Sequence, residues 1–206
     1  PERLNFSILE SPVIIASNNE IKWNNVAMAE NYLVTISSDS KILSQTFMDA
    51  TGSELKLDVE GFDSGSYEVE VVAYSNNNNV LASKPSKSNW KKLGLTLSVK
   101  NGVLYWENIV ENSVARYQVV ANNITEDILN VNNCSLDKFN FTAETVAKTY
   151  EIKVQAIGDA EIFSSDVKTI MVTKLPDAKI IKLENEIFTV DFDNKANCKV
   201  KIYKQD

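Results

Sequence analysis

Apolar and polar residues alternate through much of this chain. Tyr67, Val69, Val71 and Ala73 alternate with Glu68 and Glu70, and Tyr150, Ile152, Val154 and Ala156 alternate with Glu151, Lys153 and Gln155. A period of two predicts strands with one buried and one wet face. Strict alternation over this length favours antiparallel sheets over a doubly covered parallel sheet. Ile21 and Trp23 share a face, as do Leu104 and Trp106. Tyr32, Val34 and Ile36 predict a following strand, with Tyr117, Val119 and Ala121 as its counterpart. Leu55 and Leu57 stand before Tyr67 much as Phe139 and Phe141 stand before Tyr150. The helix-like stretch Asn25–Asn31 is too short for a stable helix and falls between two strands.

Turn residues punctuate these runs. Asn101-Gly102 predicts a two-residue hairpin, and Asn18-Asn19 occupies the matching place earlier. Asn76 to Asn79 predicts a polar loop, and Gly158-Asp159 replaces it later. The pattern therefore occurs twice. Trp23 and Trp106 are 83 residues apart, as are Tyr67 and Tyr150. A fixed long period predicts repeated structural units. The expected organisation is an N-terminal extension over 1–8, a first unit over 9–93, a second over 94–175, and residues 176–206. Ser83 to Leu93 is read as carrying the first unit into the second, and Leu175-Pro176 repeats that role. Phe188, Val190 and Phe192 then stand where a Trp strand belongs, followed by Cys198, Val200 and Ile202. Residues 176–206 are either a partial third repeat of a longer array or a C-terminal cap on the second unit.

These residues resemble fibronectin type III repeats of bacterial surface or secreted proteins. The resemblance rests on IKWNNVAMAENYLVTI and GSYEVEVVAYS, then on LYWENIVENSVARYQVV and TYEIKVQAIGD. It implies a Trp in the second strand and a Tyr in the third, matched by Trp23 and Tyr32 and by Trp106 and Tyr117. It also implies a tyrosine corner before the sixth strand, matched by Tyr67 and Tyr150. The implied fold class is all-β, with tandem immunoglobulin-like antiparallel sandwiches. The third copy departs from it, with Phe188 for Trp and Cys198 for Tyr.

Composition narrows the function classes. The formal net charge is −7 and the sequence pI about 4.8, which argues against nucleic acid or an anionic membrane as partner. No apolar run is long enough to span a bilayer. The opening PERLNF is no signal peptide, so a secreted form would be a processed one. The sequence holds no histidine, which removes the commonest general base and metal ligand. Cys134 and Cys198 fall in different repeats with no metal-ligand spacing.

Several side chains invite a chemical reading. Asp58, Glu60, Asp63, Glu68 and Glu70 offer oxygen for calcium, but Glu68 and Glu70 sit on the wet face of one strand. Asp159, Glu161, Asp166 and Glu151 fall on loops and outward positions unsuited to paired-carboxylate hydrolysis. Leu57-Asp58-Val59 spells a short adhesion motif, with Leu57 also expected to face inward. Asn5, Asn123, Asn133 and Asn140 are glycosylation sequons, at about the frequency chance gives. Cys134 is expected in a loop, and Cys198 as a small buried hydrophobe.

Trp90 is the one aromatic residue that the repeat leaves unexplained, because Val172 aligns with it. It is the candidate ligand-binding residue, as a sugar-stacking platform, or else a packed residue of the last strand or inter-unit joint. No catalytic residue, metal or cofactor is expected. The expected function is a non-catalytic extracellular spacer or interaction module of a larger cell-surface or secreted protein. Its partners are then other domains of the same protein, with a surface glycan or protein as a further possibility. The alternatives are a carbohydrate- or protein-binding adhesion module, or an accessory region of a polysaccharide-degrading enzyme.

Overall fold

The computed structural model describes residues 6–17, 19–51, 55–57, 59, 61–109, 114–144 and 146–176, and the backbone of 179–184 and 187–191. The first half of the chain forms β1 (Ser7–Ile8), β2 (Ile14–Ser17), β3 (Glu20–Trp23), β4 (Asn31–Ser38), β5 (Lys41–Asp49), β6 (Lys56–Leu57), β7 (Gly65–Tyr74), β8 (Val80–Leu81) and β9 (Ser86–Lys92). The next stretch forms β10 (Leu95–Lys100), β11 (Val103–Asn108), β12 (Arg116–Ala121), β13 (Ile124–Ile128), β14 (Asn133–Ser135), β15 (Lys148–Ile157), β16 (Ile162–Phe163) and β17 (Lys168–Lys174). A final hairpin pairs β18 (Lys179–Glu184) with β19 (Ile187–Asp191).

The fold is all-β, as the alternation predicts. One sheet, β2-β3-β6, faces another whose order is β9-β7-β4-β5; β10-β11-β14 faces β13-β12-β15-β17 in the same way. Three strands against four in this order is the fibronectin type III sandwich, made twice. All these pairings are antiparallel. Antiparallel pairing lets one face of each sheet meet water while the other is buried.

The alternating residues build the two cores. Ile21, Trp23, Tyr32, Val34, Ile36, Val69, Val71 and Ala73 are buried together in the first cluster. Leu104, Trp106, Tyr117, Val119, Ala121, Ile152, Val154 and Ala156 form the second. The Trp of each second strand meets the Tyr of its third, with ring centroids 6.0 Å apart for Trp23–Tyr32 and 5.0 Å for Trp106–Tyr117. The indole N–H groups of Trp23, Trp90 and Trp106 are buried without a hydrogen-bond partner. Each ring therefore contributes by packing, against the cost of one unsatisfied donor. Both tyrosine corners form: Tyr67 Oη donates to Asp63 O at 2.8 Å, and Tyr150 Oη to Thr142 O at 2.6 Å.

The structure corrects three expectations. Leu57 pairs with Ile21, and the residue that pairs with the equivalent Leu104 is Cys134. The counterpart of Leu57 is thus Cys134, not Phe141, and Cys134 is the buried residue of the short strand β14, not of a loop. The stretch Ser83 to Leu93 is mostly the strand β9 of the first sandwich. The crossing itself is confined to Leu93-Gly94, before β10 begins. Of the third copy, β19 places Phe188 opposite Leu183 and Val190 opposite Ile180. Phe192, Cys198, Val200 and Ile202 lie outside the described residues, as do Asn5, Asp58 and Glu60.

Candidate functional site

The site most specific to this chain is the joint between the two sandwiches. Trp90 lies near the end of β9, opposite Tyr67 of β7. The residue opposite the equivalent Tyr150 is Val172, so the two positions correspond in space as well as in sequence. Trp90 faces inward and is 1% exposed. Its ring stacks on Tyr67 at 4.4 Å, on Phe163 at 5.0 Å, and meets Phe62 edge-on at 5.6 Å. Phe62, Tyr67 and Trp90 belong to the first sandwich. Phe163 comes from the loop between β15 and β17 of the second, yet is 1% exposed within the first core.

Two backbone pairings hold Phe163 there. β16 runs parallel to the end of β9, with Ile162 opposite Lys91 and Phe163 opposite Lys92. Lys91 N donates to Glu161 O at 3.2 Å, and Leu93 N to Phe163 O at 2.9 Å. The second sandwich thus adds a short strand to the edge of the first. Ser164 N donates to Asn19 Oδ1 at 2.6 Å, fastening the same loop to the first hairpin.

A charge pair closes the joint. The Lys92 ammonium is buried; it donates to Phe62 O at 2.6 Å and pairs with Asp166 Oδ1 at 2.9 Å. A buried ammonium is tolerated only when such oxygens replace water. Two glycines make room, Gly94 at the crossing beside Ser64 and Gly158 inside the loop that carries Phe163. A Cβ on Gly94 would meet Ser64 Cβ at 2.4 Å, and one on Gly158 would meet Ile162 O at 2.0 Å. Both positions therefore need a residue without a side chain.

The remaining sequence candidates are dispersed. Glu68 and Glu70 both pair with Lys87, at 2.8 and 3.3 Å. Asp166 belongs to the joint, and Val59 is buried. Among the described residues no group of three or more acidic or cysteine side chains is arranged to hold a metal. A cleft of about 620 Å³ opens beside the joint, with Ser37, Asp39, Ser66, Asn89 and Lys91 on one side and Glu161 on the other. Sequence reasoning flagged Trp90 but missed Phe163. The available signal was the pair Ile162-Phe163, which recurs as Val80-Leu81 in the first unit.

No family model matches this chain, and no curated protein does. Among solved structures it is similar to a two fibronectin type-III domain segment from chicken tenascin, at 15% identity over 81% of this chain and 99% of that one, with a TM-score of 0.33. It is also similar to the FN1-FN3 domains of chicken CNTN1, at 15% identity over 82% of this chain and 68% of that one, TM-score 0.31. A third similar structure holds the fibronectin(III)-like modules of Clostridium thermocellum CbhA, at 13% identity over 82% and 90% of the two chains, TM-score 0.30. The fold assignment rests on the strand order and register of this chain. No helix among its described residues is long and apolar enough to cross a membrane.

Proposed function

We propose that this chain is a non-catalytic spacer and interaction module of a larger cell-surface or secreted protein. Two sandwiches, divided at Leu93-Gly94, set the distance and direction between whatever they connect. The observation that carries this reading is Phe163 of one sandwich seated in the core of the other, on Trp90. Inter-domain contacts are commonly small and mobile. A shared core residue, an added two-residue strand and a salt bridge from the buried Lys92 ammonium instead favour one fixed orientation. In this reading Trp90 is a joint residue: Tyr67 and Phe163 stack on its ring, leaving no open face for a sugar.

The test is small-angle scattering on the whole chain. One rigid arrangement of the two sandwiches should fit the data, and Phe163→Ala should require a spread of arrangements. A spread in the unaltered chain would overturn the reading.

The cleft beside the joint supports a second reading, in which the module binds a glycan or protein surface directly. Its lining sets hydroxyl, amide and carboxylate groups beside Tyr67, Trp90 and Ile162, which suits a polar ligand with an apolar face. A glycan array probed with the whole chain separates the two. Saturable binding lost in Asn89→Ala with the fold intact favours the binder, and its absence favours the spacer.

A further inference from the structure

The joint is built on a pattern that occurs a second time, with one half uncovered. In the first sandwich, β8 runs parallel to β1, with Ser7 opposite Val80 and Ile8 opposite Leu81. Ser7 N donates to Asn79 O and Leu9 N to Leu81 O, both at 3.0 Å. These bonds repeat those of Lys91 with Glu161 and Leu93 with Phe163. The serine after each short strand repeats as well. Ser83 Oγ accepts from Ala73 N at 2.9 Å, and Ser165 Oγ from Ala156 N at 3.0 Å. The loop that docks the second sandwich onto the strand entering it is therefore present, in the same register, at the first sandwich.

The correspondence assigns each residue a role. Phe6 holds the place of Trp90, Ile8 that of Lys92, Leu9 that of Leu93, and Leu81 that of Phe163. Leu9 is buried like Leu93. The three apolar residues that would meet a preceding sandwich are not: Phe6 is 63% exposed, Ile8 58% and Leu81 47%. Apolar residues collected at one end of a domain mark an interaction surface. The second joint shows what covers such a surface in this fold.

We infer that Phe6, Ile8 and Leu81 form the downstream half of another joint, which takes a β-sandwich of the same repeat whose last strand runs into Ser7–Ile8. That strand end would place Phe6 in the neighbour's core, as Trp90 is placed in the first, with Leu81 packed on it. Ile8 replaces Lys92, and Lys84 stands in the place of Asp166. This surface therefore selects a neighbour by apolar packing, without the charge pair of the described joint. The inference rests on the spacer reading and extends it to a third body.

The test adds a copy of residues 9–89 ahead of Phe6, so that Phe6-Ser7-Ile8 continues the copy's last strand. Leu81→Cys, in a Cys198→Ala background, reports burial through its rate of reaction with a thiol reagent. Leu81 is exposed, so the substitution leaves the fold intact. Reaction should be rapid in the original chain and about tenfold or more slower in the extended one, since a buried site reacts only when the joint opens. Ile8→Asp should restore rapid reaction. An unchanged rate in the extended chain would overturn the inference. So would a dimer of the original chain that Leu81→Asp abolishes, because a second copy would then be the occupant. Small-angle scattering of the original chain distinguishes the two readings. One rigid arrangement there with rapid reaction at position 81 of the extended chain refutes only the further joint, whereas a spread of arrangements refutes the spacer reading too.

Discussion

The loops Asn79–Ser83 and Glu161–Ser165 share backbone bonds, register and a buried serine, yet their apolar side chains meet different surroundings. Leu81 is about half exposed, and Phe163 is enclosed by a neighbouring sandwich. Local sequence thus fixes the shape of the loop, and the neighbour decides what its apolar residue is worth. At the described joint a two-residue strand is enough to seat Phe163 on the ring that the entering strand presents, Trp90.

The largest effect expected from breaking this comparison is at Phe163. Phe163→Ala should cost about 3–5 kcal/mol at most, because a filled core position empties. Leu81→Ala should change stability by less than about 0.5 kcal/mol. Urea unfolding of the two variants measures the difference directly, and equal costs would remove the distinction. Gly158→Ala should cost about 1–3 kcal/mol, because its Cβ would press on the Ile162 carbonyl and displace the strand behind it. Asp166→Ala should cost about 1–2 kcal/mol, since the Lys92 ammonium keeps the Phe62 carbonyl but loses its carboxylate.

The smallest expected effect sharpens the contrast between the two sandwiches at alkaline pH. Burial, and then the carboxylate of Asp63, push the Tyr67 hydroxyl above its ordinary 10.0. A hydrogen bond from the Thr142 side chain, joined by the Thr142 backbone and Lys148, draws Tyr150 below 10.0. A raised value makes the Tyr67 contribution complete below pH 10.0 and lost as pH rises through its folded value. A lowered value makes the Tyr150 contribution present above pH 10.0 and lost as pH falls through its folded value. Tyr67→Phe should therefore weaken the alkaline loss of stability, and Tyr150→Phe should steepen it. Unfolding midpoints measured across pH 9 to 11 test both signs.

Much of the fold was legible because buried strands write their burial as alternation. Trp23 and Trp106, and the corner residues Tyr67 and Tyr150, keep the 83-residue spacing, and Tyr117 follows Tyr32 by 85. The spacing fails between β6 and β14, where Cys134 follows Leu57 by 77 residues. The second sandwich inserts a short 3-10 turn there, Leu136–Phe139, which buries its own Leu136 and Phe139. Phe139 and Phe141 therefore take the apparent place of strand residues. Cys134 sits among Asn132, Asn133 and Ser135, so a three-residue strand with one buried side chain had no alternation to reveal it. The joint was less legible for a related reason. Ile162-Phe163 is too short to register as a strand, and its partner strand belongs to the neighbouring sandwich. Trp90 drew notice by breaking the repeat, but the repeat could not say what lay on its other face.

In the proposed joint, Phe163 on Trp90 fixes the two sandwiches in one orientation. Pulsed dipolar spectroscopy on spin labels at Thr46→Cys and Thr125→Cys, in a Cys198→Ala background, measures that most directly. One narrow distance is expected in the otherwise unaltered chain, broadened in Phe163→Ala. A broad distribution present before Phe163 is touched would contradict it.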